Sequence, residues 1–172
     1  KFDMMKYAMK TQREDVGRPR EFPYARIVTS RGCPFNCCFC EIGNIAGKKP
    51  RLRSVEHILE EIELLIKNYG IKSLIFDDDN FLIDTQRAKD LFKEMIKKGY
   101  NLKWNAPALS VYKLDEEMIK LMKESGCQFV DIAIESGVER VLKEIIHKPV
   151  NLEHAKQMTE LLKKYNIDFG SG

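Results

Sequence analysis

No apolar run in this sequence approaches the ~20 residues that a helix needs to span a bilayer. The opening Lys1-Phe2-Asp3-Met4-Met5 is not followed by the apolar segment of a signal peptide. Neither sign of charge dominates. Lys and Arg total 29 against 26 Asp and Glu, a net of +3, which makes no electrostatic case for nucleic acid. There is one Trp and there are three His, with no Ser-His-Asp pattern and no phosphate loop. Low-complexity tracts and sequence repeats are absent. What is present is enough for one domain with a core, since 44% of the 172 residues are hydrophobic. The missing initiator Met and the abrupt Phe169-Gly170-Ser171-Gly172 end read as a piece of a longer protein.

Cysteine is scarce and uneven. Four of the five lie within eight residues, as Cys33, Cys37, Cys38 and Cys40, and Cys127 stands alone. Thiols that close make a poor disulfide framework and a good soft-metal site. The expected compartment is a reducing cytoplasm, with no membrane partner.

Residues 1–24 are polar and irregular, with Gly17, Pro19 and Pro23, and read as a linker or N-terminal arm. From residue 25 to residue 172 strand and helix patterns alternate. Strands are expected at Arg26–Ser30, Ser73–Phe76, Leu102–Ala106 (stopped by Pro107), Phe129–Ile134 and Ile167–Gly170. Helices begin at the caps Ser54, Asp84, Asp115 and Asn151, with a short helix at Val138–Ile146. Gly70, Gly99 and Gly126 close the first three long helices. This α/β alternation implies a parallel sheet with right-handed crossovers. No G-x-G-x-x-G follows the first strand, which counts against a dinucleotide-binding sheet. The expected fold is a partial TIM barrel of (β/α)6 type, cut off after about four and a half units.

Sites in parallel barrels lie at the carboxyl ends of the strands. Those ends carry the cysteine loop, then Asp77-Asp78-Asp79-Asn80, then Asn105, then Glu135-Ser136-Gly137. Cys33, Cys37 and Cys40 form C-x3-C-x2-C, and three thiolates on one tight loop suit an iron–sulfur cluster. A four-iron cluster held by three cysteines leaves one iron open. Cys38 adjoins Cys37 and would point elsewhere. A zinc site needs a fourth ligand, and no His or Cys pair follows at finger spacing; His57 is on the next helix. A thioredoxin-like use of Cys37-Cys38-Phe39-Cys40 expects a different βαβ context. The Asp triplet also suits magnesium, phosphate or a solvated turn, but those readings leave the cysteine loop unexplained.

The segment Thr29-Ser30-Arg31-Gly32-Cys33-Pro34-Phe35-Asn36-Cys37-Cys38-Phe39-Cys40 resembles the signature loop of the radical S-adenosylmethionine (SAM) enzymes. The resemblance runs on through Arg51-Leu52-Arg53-Ser54, Phe76-Asp77-Asp78-Asp79-Asn80-Phe81, Leu114-Asp115-Glu116 and Ile134-Glu135-Ser136-Gly137. It is nearest in flavour to the branch whose members often carry a cobalamin-binding domain upstream. It implies a [4Fe-4S] cluster on Cys33, Cys37 and Cys40, with SAM chelating the fourth iron and being cleaved reductively to a 5′-deoxyadenosyl radical. It implies Phe39 near the adenine. It implies Asp78 or Asp79 at the SAM amino group, in place of the family's Gly-Gly-Glu form. It implies Glu135 and Ser136 at the ribose or methionine part, with Arg140 a candidate for the SAM carboxylate. The implied reaction is methylation of an unreactive carbon if cobalamin is supplied by a domain outside this chain; methylthiolation of tRNA or protein is the alternative. An external electron donor such as ferredoxin or flavodoxin and a small-molecule substrate follow from the same resemblance.

Outside that resemblance, a non-catalytic metal-binding or redox-sensing module would use the same cysteines. The basic run Lys48, Lys49, Arg51 and Arg53 reads as a solvated loop, with Arg53 open to a local structural task; it lacks the interleaved aromatics of an RNA surface. Trp104 and Phe129 are expected in the core, and Cys127 in the core or rim at the amino end of its strand.

Overall fold

The computed structural model describes residues 21–171; residues 1–20 of the expected arm lie outside that range. In chain order the elements are β1 (Tyr24–Ile27), β2 (Ser30–Arg31), α1 (Ile42–Ile45), β3 (Arg51–Leu52), α2 (Val55–Tyr69) and β4 (Ser73–Phe76). They continue as α3 (Thr85–Lys98), β5 (Lys103–Leu109), α4 (Glu116–Glu124), β6 (Cys127–Ile132), α5 (Leu152–Lys164) and β7 (Asp168–Gly170). Short 3-10 turns cover Phe81–Ile83 and Val111–Lys113.

Five strands form one sheet in the order β1-β4-β5-β6-β7, every pairing parallel. Spatial order follows chain order without reversal. A doubly wound sheet reverses at its switch point; here right-handed crossovers place all the long helices on one face. That is the winding of a barrel wall, four and a half β/α units of it.

The helices start where their caps allow. The side chains of Ser54, Asp84, Asp115 and Asn151 accept the backbone N–H of His57, Arg87, Met118 and His154. Each such cap is worth about 1 kcal/mol. The core lies between the sheet and the helices. Leu74, Phe76, Trp104, Ala106, Val130 and Ile132 point from alternate strand positions into a layer with Ile58, Leu91, Phe92, Met118 and Leu162, all essentially without exposure. Phe92 stacks on Trp104 with ring centroids 4.9 Å apart, and the Trp104 indole N–H donates to Ser125 Oγ at 3.1 Å.

Several boundaries differ from the sequence expectation; β6, for one, runs Cys127–Ile132 where Phe129–Ile134 was expected. The first strand ends at Ile27, because the Asp77 N–H closes the ladder on the Ile27 carbonyl and the Thr29 N–H turns to a side chain instead. Ser30 and Arg31 form a separate antiparallel pair with β3. β5 runs through Pro107 to Leu109, where a register shift between Ala106 and Leu109 removes the ladder bond that Pro cannot donate. Val141–Ile146 winds as a π-helix, ended by His147 at φ 61°. Phe129, expected in the core, lies half-buried on the opposite, lumen-side face; its ring is 3.2 Å from where a Cβ on Gly170 would sit.

Candidate active site at the strand ends

The cysteine loop leaves β1 and is fastened before it reaches its first cysteine. Thr29 N–H donates to Asp78 Oδ1 at 2.6 Å, and the Thr29 and Ser30 hydroxyls donate to Oδ2 at 2.5 and 2.6 Å. Asp79 Oδ2 accepts the Gly32 N–H at 2.8 Å. From the other side, Arg53 Nη1 donates to the Val28 carbonyl and Arg87 Nη1 to the Thr29 carbonyl, at 3.0 and 3.2 Å. Burial pushes the Arg87 guanidinium down, and Asp78 and Asp84 oppose that. A buried charge of this kind is tolerable only with such partners. Gly32 is at φ 91°, and a Cβ there would lie 2.8 Å from the Gly47 carbonyl oxygen. Only glycine fits that crossing. The Cys33 N–H then bonds Gly47 O at 3.2 Å.

Inside the loop, the Cys40 N–H bonds the Cys37 carbonyl at 3.0 Å, a turn that carries both cysteines. The Cys38 N–H bonds the Ile146 carbonyl at the end of the π-helix, at 3.2 Å. Cys33 and Cys37 are half-buried, whereas Cys38 and Cys40 are exposed. Burial pushes the Cys37 thiol up, Lys148 pulls it down, and Cys40, Cys33 and Glu135 push it up again. Among the described residues, no three Cys, His, Asp or Glu side chains gather tightly enough for a single ion. Three thiols on one loop are the soft donor set that suits an iron–sulfur cluster.

The expected SAM contacts fall into two groups. Asp79 lies at the mouth beside the loop, where it accepts the Gly32 N–H, and Glu135 faces the loop from just beyond β6. Glu135 is at φ 74°, and its Oε1 accepts Lys148 Nζ at 2.9 Å; the Lys148 side chain is 11% exposed. Ser136 Oγ accepts the Val138 N–H at 3.1 Å, opening the turn that follows β6. Phe39 is 55% exposed, an unusual state for so large an apolar ring, and leaves its face open at the loop. Asp78 is different: it is 4% exposed and its two oxygens carry the three bonds to Thr29 and Ser30. Arg140 is in an exposed pair with Glu144 at 3.4 Å, on the outside of its helix.

Other residues here carried no strong sequence signal. Tyr112 packs edge-on against Phe35, with centroids 5.5 Å apart. Burial raises its phenol, Ser110 and Asn80 hydrogen bonds lower it, and Cys33 and Cys37 raise it, so it stands beside the loop. Lys148, just after the π-helix, and Arg87 on α3 also come in from distant parts of the sequence. Of the basic run, Lys48, Lys49 and Arg51 are exposed, while Arg53 binds Glu61 at 2.5 Å and holds the loop.

A mouth of strand ends, a three-cysteine loop and acidic neighbours define a cofactor-dependent barrel. Residues 27–171 match the Radical SAM superfamily, and the chain belongs to that superfamily. It is 42% identical over 143 residues to cytidylyl-2-hydroxyethylphosphonate methyltransferase of Streptomyces wedmorensis, covering 83% of this chain and 26% of that protein. It is 37% identical over 145 residues to an uncharacterised methyltransferase of Pyrococcus horikoshii, covering 84% and 31%. The fold matches that of TsrM, a radical SAM methyltransferase of Kitasatospora setae solved with cobalamin and a [4Fe-4S] cluster. The TM-score is 0.78 at 20% identity, over 86% of this chain and 30% of that one. The chain thus spans between a quarter and a third of the length of the curated relatives it matches. Among the described residues, no helix is long and apolar enough to cross a membrane.

Proposed function

We propose that residues 25–172 are the SAM-binding core of a radical SAM methyltransferase, with Cys33, Cys37 and Cys40 holding a [4Fe-4S] cluster. The observation that carries this reading is the C-x3-C-x2-C loop itself, fastened at the strand ends by Asp78, Asp79, Arg53 and Arg87. When bound, the cluster supplies one electron to split the sulfonium C–S bond of SAM, leaving methionine and a 5′-deoxyadenosyl radical. The protein's part is to hold and orient.

Phe39 offers its exposed ring to the adenine. Asp79, partly open at the mouth, accepts from the SAM ammonium, a charge-assisted contact. Asp78 contributes by holding the loop, not by reaching the ligand. Glu135 and Ser136 face the ribose or methionine part. Lys148, beside Glu135, is better placed than Arg140 for the SAM carboxylate. The electron comes from an external donor such as ferredoxin or flavodoxin in a reducing cytoplasm. The methyltransferase relatives favour methyl transfer to a small molecule, with cobalamin bound outside this chain.

Anaerobic reconstitution tests the reading. About four irons per chain are expected, with 5′-deoxyadenosine formed from SAM under a strong reductant. One zinc per chain and no iron uptake would sink it in favour of a non-catalytic module.

A further inference from the structure

Asn80 follows the acidic end of β4 and is 5% exposed. A buried amide needs partners for both ends, and here they are unlike. The Ser110 hydroxyl donates to Asn80 Oδ1 at 2.9 Å. With the oxygen so occupied, Nδ2 is turned to Cys33, 3.9 Å from Sγ. The Tyr112 phenol lies against the same Ser110 and Asn80 side chains. Ser110 and Tyr112 stand just beyond β5, so two neighbouring strand ends together aim one N–H at one sulfur. This aim is set by hydrogen bonding within the protein and does not require a substrate.

Hydrogen bonds to ligand sulfurs are among the determinants of an iron–sulfur potential, and groups behind the ligands orient and tune them. An N–H directed at a thiolate stabilises negative charge on sulfur. The one-electron-reduced cluster carries more of that charge than the oxidised one. The donor therefore favours the reduced form and makes the electron easier to accept.

We propose that Asn80, held by Ser110, is a positioning residue that donates to the Cys33 thiolate and raises the reduction potential of the cluster bound there. This rests on the cluster assignment above. The electron enters from an external one-electron donor and stays on the cluster; no bond in Asn80 forms or breaks, and its proton remains on nitrogen.

The test is a redox titration of the anaerobically reconstituted 172-residue chain, without SAM, read by the electron paramagnetic resonance of the reduced cluster. Asn80→Leu is expected to keep its iron and to lower the ratio of reduced to oxidised cluster about fivefold at fixed ambient potential. For one electron that is a midpoint about 40 mV more negative. Ser110→Ala, which frees the amide without touching the sulfur, is expected to shift the midpoint the same way by less. A wild-type midpoint in iron-loaded Asn80→Leu overturns the proposal. Should Asn80→Leu fail to hold iron, Ser110→Ala decides: a lowered midpoint supports the role and an unchanged one overturns it. A wild-type chain that takes up no iron overturns the cluster assignment itself, and this inference with it.

Discussion

The Asp78 carboxylate accepts both the backbone N–H and the hydroxyl of Thr29, at 2.6 and 2.5 Å, across 49 residues of sequence. It ties the end of β4 to the start of the cysteine loop, and the Ser30 hydroxyl adds a third bond. A carboxylate with three donors, buried at 4% exposure, is a fastening.

Replacing Asp78 with Ala leaves three buried donors without their acceptor and removes the charge opposite Arg87. Breaking such an arrangement on one side costs about 3 kcal/mol. Urea unfolding of Asp78→Ala is expected to show a loss of that order, with iron retention after reconstitution reduced in parallel. Unchanged stability would show that the bonds are not holding the loop.

Gly32→Ala acts on the loop without touching a ligand. Its Cβ would meet the Gly47 and Lys49 carbonyl oxygens at 2.8 and 2.9 Å, at a φ of 91°. The strain falls on a loop apart from the core. The expected outcome is a far-UV circular dichroism spectrum like the wild type and at least a several-fold loss of bound iron per chain. Full iron content would refute the close crossing.

Among the loop thiols, Cys38 is expected to be dispensable. Cys38→Ala should retain about four irons per chain, while Cys33→Ala, Cys37→Ala and Cys40→Ala should each lose most of them. Iron and sulfide assays on anaerobically reconstituted protein check this. Equal loss in all four would mean that Cys38 is a ligand and no iron is left open.

Cys127 gives a pH dependence away from the site. Burial raises its thiol well above the ordinary 9.0, against weaker lowering by Lys123 and the Phe129 backbone. The folded state therefore keeps the proton where the unfolded chain releases it. Stability from this group is complete below pH 9 and falls as pH rises above it, by up to about 1.4 kcal/mol per pH unit. Urea unfolding of the iron-free chain from pH 7 to 10 should show a steeper alkaline loss in wild type than in Cys127→Ala. Parallel curves would refute the shift.

Much of this was legible in the residues alone. The caps Ser54, Asp84, Asp115 and Asn151 marked four helix starts, because a cap is a local contact with a residue three positions on. The C-x3-C-x2-C spacing marked the cysteine loop for the same reason: its three thiols lie within eight residues. Less legible was Pro107, which sits inside β5 because a register shift with β6 relieves it. Phe129 likewise followed the pleat to the lumen side and not its hydrophobicity.

The alternation of strands and helices, the helix starts and the trio of thiols were readable from the residues, since these depend on short-range spacing and period. Contacts across the fold settled which acidic residue fastens the loop and which stays partly open at the mouth. Asp78 and Asp79 are adjacent and chemically alike, but successive residues at a strand end point to different sides. The fold also settled that Asn80, Ser110, Tyr112 and Lys148 join the cysteines, because parallel strands bring their carboxyl ends together from positions tens of residues apart.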